Sequence, residues 1–126
     1  MKTSVSNLTI LYEDNHLIAV FKNAGDLSQG DKTGDSTLGD VIKDYIKKRD
    51  GKPGDVFLGV IHRIDRPTSG VLLFAKTSKG LERMNQAFQN KEVHKTYWAI
   101  VEGHLAQKEG TIKNLLQKNQ KQNKKK

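Results

Sequence analysis

The segment His62-Arg63-Ile64-Asp65-Arg66-Pro67-Thr68-Ser69 gathers most of the side chains able to do chemistry. An imidazole, two guanidiniums and a carboxylate interrupt two apolar runs, residues 56–61 and 70–75. Polar groups wedged between strands need partners, and they concentrate at functional sites. A carboxylate kept ionised beside guanidiniums can act as a nucleophile or as a base. The same spacing also fits a purely structural turn in which Arg63 and Arg66 pair with Asp65. Other chemistries are weaker. His62-x-x-Asp65 offers two metal ligands with no second cluster to complete a site, so no metal is expected. Ser69 lacks the G-x-S-x-G frame of a nucleophile elbow. The glycine-rich stretch from Gly25 to Gly39 has no G-x-x-x-x-G-K-[ST] pattern for phosphate. The chain has no cysteine, which excludes thiol nucleophiles, disulfides and thiolate metal sites.

Those residues must be held by the elements around them. Leu8-Thr9-Ile10-Leu11-Tyr12 and His16-Leu17-Ile18-Ala19-Val20-Phe21 read as two strands joined by the turn Glu13-Asp14-Asn15. Residues 23–34, rich in Gly and Asp, read as a loop. Leu38, Val41, Ile42, Tyr45 and Ile46 then share one face of a helix, with Asp35 or Ser36 as its cap and Gly51 at its end. Residues 56–61 and the fully apolar 70–75 predict strands, the latter central. Leu81, Met84, Ala87 and Phe88 predict a helix over 78–90. Alternation predicts a last strand over 93–101, with Val93, Lys95, Tyr97, Ala99 and Val101 on one side. A third helix is expected to begin near Thr111. The pattern is α+β, a mostly antiparallel sheet with flanking helices.

Length and charge bound the rest. The 126 residues suffice for one domain, and at 35% hydrophobic its core is modest. The formal charge of +8 raises the prospect of a polyanionic partner. Its distribution weakens that inference. Residues 1–112 hold 16 Lys and Arg against 14 acids, whereas residues 113–126 hold six Lys and no acid. The expected organisation is a folded body over 1–112 and a frayed, Lys-rich tail over 113–126. No apolar run suits a membrane span or a signal peptide, so a soluble, cytoplasmic protein is expected.

The run His62-Arg63-Ile64-Asp65-Arg66-Pro67-Thr68-Ser69-Gly70-Val71-Leu72-Leu73-Phe74-Ala75-Lys76 resembles the signature of the RluA-type RNA pseudouridine synthases, H-R-[LI]-D-x-x-T-S-G-x-x-[LV]-x-A-K. Two further segments agree in order and spacing. The stretch from Leu11 to Lys22 resembles the family's first hairpin, and Lys95-Thr96-Tyr97-Trp98-Ala99-Ile100-Val101-Glu102-Gly103 resembles its K-x-Y-x-A-x-V-x-G strand. The resemblance covers about residues 8–118. It implies isomerisation of uridine to pseudouridine in structured RNA, rRNA or tRNA, without a cofactor. By resemblance, Asp65 is the catalytic aspartate and Tyr97 the active-site tyrosine. Arg63 fills the space left by an extruded base, which fits the need to unstack a nucleotide before acting on it. His62, Thr68 and Ser69 fix the loop or meet RNA, and Arg66 joins them at the RNA-binding surface.

Two departures stand out. The family has Pro after the lysine of its first motif, where this chain has Asn23, so a more mobile loop is expected there. The family's later G-R-x-H-Q-I-R-x-H segment, which supplies an arginine to the catalytic aspartate, has no match in residues 77–126. The expectation is therefore the N-terminal part of a catalytic domain. The alternative is an RNA-binding module that does not catalyse.

Overall fold

Ile18, Val20 and Lys22 alternate along one strand, and all three are fully buried. That alternation puts one face of the strand against a core, and the rest of the fold is arranged around it. The computed structural model describes residues 2–30, 32–51 and 53–113, and the backbone of 118–119 and 124–125. The chain divides into two units, Met1–His94 and Lys95–Lys126.

The first unit follows the predicted plan. A short 3-10 turn, Val5–Asn7, leads into the hairpin of β1 (Ile10–Glu13) and β2 (Leu17–Lys22). Helix α1 (Leu38–Asp50), strands β3 (Gly59–Val60) and β4 (Gly70–Ala75), and helix α2 (Ser78–Gln89) complete it. The sheet order is β1-β2-β4-β3 with every pairing antiparallel, so β4 is internal, as its apolar run predicts. The core joins Ile18 and Val20 of β2, Leu72 and Phe74 of β4, and Leu38, Ile42 and Ile46 of α1. Burying each of these side chains contributes about 1.5–3 kcal/mol. Ile64, from the polar segment, joins the same cluster.

Three local outcomes differ from the sequence expectation. The cap of α1 is Thr37, not Asp35 or Ser36. Thr37 Oγ1 accepts from the Asp40 N–H at 3.1 Å, and Asp40 Oδ2 accepts from the Thr37 N–H at 3.0 Å. This reciprocal box satisfies two helix-end donors, which neither earlier residue can do once Asp35 is drawn elsewhere. The helix ends at Gly51, whose φ of 61° is the left-handed conformation glycine adopts without strain.

The strand expected over 56–61 is confined to Gly59–Val60. The ladder stops because His62 Nε2 accepts the Leu73 N–H at 3.1 Å, taking a donor that a backbone carbonyl would otherwise hold. The strand expected over 93–101 does not form, and Trp98 and Ile100 are wholly exposed. Alternation specifies two faces, but a ladder needs a second backbone in register, and this segment has none among the described residues.

The second unit is described by itself. Residues 95–113 carry no regular secondary structure, and two-residue strands β5 (Lys118–Asn119) and β6 (Lys124–Lys125) pair antiparallel. Thr111 to Lys113 is not helical. The remainder of the expected third helix and most of the Lys-rich tail lie outside the described residues. Among the described residues, no helix is long and apolar enough to cross a membrane.

Candidate active site

The polar segment leaves β3 at His62 and enters β4 at Gly70. Its backbone alternates about Ile64, which is buried while Arg63 and Asp65 on either side are exposed. Asp65 heads a tight turn closed by the Thr68 N–H donating to the Asp65 carbonyl at 2.9 Å. Pro67 fixes a backbone angle within that turn.

Buried polar groups that sequence reasoning did not single out hold this segment. The Lys22 ammonium, at the end of β2, donates to the carbonyls of Thr68 (2.6 Å), Arg66 (2.9 Å) and Asn23 (3.2 Å). Three donors meet three acceptors, which is what a buried ammonium needs. Burial pushes the Lys22 pKa below the ordinary lysine range and the Arg66 charge adds to this, while the carboxylates of Asp26 and Asp65 oppose it. A signal for Lys22 was present in the sequence, because it continues the period-two core face of Ile18 and Val20.

Residues 23–28 are fastened to the same segment. The Gly25 N–H donates to the Arg66 carbonyl at 2.7 Å, and Arg66 Nε donates back to the Gly25 carbonyl at 2.9 Å. The buried Asp26 carboxylate accepts from the Thr3 N–H (2.8 Å), the Thr3 hydroxyl and the Asn23 N–H (3.0 Å). The Asn23 side chain donates to Thr3 Oγ1 at 2.9 Å. The expectation of a mobile loop at Asn23 is therefore corrected. Asn23 supplies an N–H and an amide that proline lacks, and both are used to tie the loop down.

The predicted site residues fall as follows. Arg66 does not pair with Asp65; its Nη2 meets Asp35 Oδ2 at 2.9 Å. That contact holds the Asp35 pKa below the usual carboxylate range, with the Lys2 charge assisting. Among the described residues, the Asp65 carboxylate receives no hydrogen bond or ion pair, so the purely structural turn is not what forms. Arg63 and Ser69 are exposed and Thr68 is half-buried. His62 is half-buried, accepts from Leu73 and stacks on Phe88 with ring centres 5.4 Å apart. Tyr97 lies in the second unit with a largely exposed side chain.

An exposed carboxylate on a hydrogen-bonded turn, with no hydrogen bond or ion pair of its own among the described residues and an arginine two residues before it, suits reaction at a large external substrate. The chain belongs to the RNA pseudouridylate synthase family, whose sequence profile matches residues 16–126. It is similar to the tRNA pseudouridine synthase C of Haemophilus ducreyi, 43% identical over 104 residues, which is 80% of this chain and 40% of that protein. It is also similar to the ribosomal large subunit pseudouridine synthase C of Buchnera aphidicola subsp. Acyrthosiphon pisum, 38% identical over 94 residues, covering 75% of this chain and 28% of that one. A solved structure, human RNA Pseudouridylate Synthase Domain Containing 4, aligns with a TM-score of 0.56 at 24% identity, over 67% of this chain and 30% of that chain. That likeness concerns the fold. The chain thus spans 40% or less of the length of these relatives.

Proposed function

We propose that the chain isomerises uridine to pseudouridine in structured RNA, tRNA or rRNA, with Asp65 as the catalytic carboxylate. The observation that supports this most directly is the Asp65 side chain, exposed and, among the described residues, without a hydrogen bond or ion pair, while its backbone is held in a tight turn. In the reaction the N1–C1′ bond breaks, the base turns, and C5 bonds to C1′. C5 gives up its proton and N1 regains one, so no oxidant, reductant or cofactor is consumed. Asp65 acts at the sugar as nucleophile or base. Arg63 offers a planar cation to the gap left by the extruded nucleotide. Tyr97 serves at the base. His62, Thr68 and Ser69 shape the loop that meets RNA, and Arg66 supports them. The similarity to bacterial tRNA and rRNA pseudouridine synthases supports a cytoplasmic location.

The test is tritium release from C5-labelled uridine in a tRNA or rRNA transcript. Release by wild type and none by Asp65→Asn is the expected result. Silence from both proteins, with equal RNA binding, would replace the enzyme by an RNA-binding module.

A further inference from the structure

Ser28 lies 36 positions before Ile64 in the chain, yet its hydroxyl holds both polar groups of that residue's backbone. Ser28 Oγ donates to the Ile64 carbonyl at 2.6 Å and accepts from the Ile64 N–H at 3.2 Å. Ser28 is 7% exposed, and Ile64 is buried as well. One hydroxyl thus does for Ile64 what a neighbouring strand would do. It supplies a donor and an acceptor where water has little access.

Ser28 is itself held. The preceding Leu27 is buried, and its carbonyl accepts from the Leu38 N–H at 2.8 Å, at the start of α1. Asp26, two residues earlier, is locked by Thr3 and Asn23. The hydroxyl is therefore presented from a fixed backbone. Ile64 connects Arg63 to Asp65, so fixing its peptide sets the direction in which both exposed side chains leave the loop.

We propose that Ser28 is a positioning residue, holding the Ile64 peptide so that the Asp65 carboxylate stands at a set place for reaction. This rests on the reading of Asp65 as catalytic. The contribution is geometric. Small displacements of a reacting group cost rate much more than they cost binding. Loss of the hydroxyl should therefore lower kcat and spare KM.

The test compares Ser28→Ala, Ser28→Thr and Ser28→Val in the full chain, by tritium release from the C5-labelled transcript and by amide hydrogen exchange. Thr and Val have nearly the same shape and differ in the hydroxyl, so their contrast stands even if Ser28→Ala folds poorly. Ser28→Ala and Ser28→Val should lose roughly 10- to 100-fold in kcat at unchanged KM, with Ser28→Thr close to wild type. The Ile64 amide should exchange at least about tenfold faster without the hydroxyl, one unit in log rate, while Val20 in β2 stays as protected as before. A wild-type kcat in Ser28→Val, or unchanged exchange at Ile64, overturns the proposal. A wild type that releases no tritium removes the catalytic reading instead, and the exchange comparison then decides whether Ser28 holds the loop.

Discussion

Arg66 reaches across the fold to Asp35, 2.9 Å away, and not to Asp65 beside it in sequence. The distant acid takes the guanidinium, and the near one is left facing outward. Its Nε is also committed, to the carbonyl of Gly25. The arginine therefore straps the long β2–α1 loop to the turn that carries Asp65.

Asp35→Asn should weaken this strap only slightly. Both side chains are over a third exposed, and such pairs are worth about 0–1 kcal/mol. Urea unfolding should move by no more than that. Filter binding to a tRNA transcript should tighten modestly, because the surface loses a negative charge that opposes phosphate. Affinity equal to wild type would show that the Asp35 charge does not reach the RNA.

Lys22→Met should be costlier. It removes the donor shared by the Thr68, Arg66 and Asn23 carbonyls and replaces it with nothing polar. A loss of about 1–3 kcal/mol is expected from stranded acceptors. A denaturation midpoint equal to wild type would show that water reaches those carbonyls unaided.

Acid should loosen the end of the sheet near the β1–β2 turn. The Asp14 pKa is lowered from 3.8 to about 2 by the Tyr12 hydroxyl and by the N–H groups of His16 and Leu17. For Glu13, partial burial acts upward, but hydrogen bonds from Lys76 and Arg49 outweigh it and the net shift is downward. Both groups favour the fold when ionised. Their stabilisation is complete above the ordinary carboxylate range and is lost as pH falls through the lowered values. Urea midpoints should hold from neutrality to about pH 5 and drop between pH 4 and 2. Asp14→Asn should flatten the lowest part of that curve, and an unaltered slope would count against this assignment.

Gly80→Ala should destabilise, although alanine normally favours a helix by about 1 kcal/mol. A Cβ at Gly80 would lie 2.8 Å from the His16 carbonyl oxygen and 3.2 Å from its Cβ. The start of α2 would have to move off the β1–β2 turn, at a cost of about 1–3 kcal/mol. A raised melting temperature would show that the helix shifts freely.

The elements with a strong period were legible in the sequence. Leu38, Ile42 and Ile46 repeat at helical spacing and are all buried, and the apolar run 70–75 is the internal strand it promised to be. What was not legible depends on partners far along the chain. Asp26 and Ser28 looked like loop polarity, and only the arrival of Thr3 and Ile64 shows why they are buried. Asp35 looked like a helix cap until Arg66 claimed it. The 93–101 pattern named two faces and could not name a neighbour. At the candidate site, the motif pointed to Asp65 directly, whereas of the residues that hold its segment Lys22 left a signal only in the period of β2, and Ser28 and Asp26 left none.

Lys22 and Gly70 face each other across the β2–β4 ladder, and the two loops of the candidate site spring from this pair. The β1–β2 hairpin closes locally, but β2 must wait for a strand that is synthesised much later. Closing so long an intervening segment is entropically slow, and it dominates the folding time of such topologies. The Lys22 ammonium reaches the Arg66 and Thr68 carbonyls from the end of β2. The bonds that hold the Asp65 turn are therefore completed together with the β2–β4 pairing.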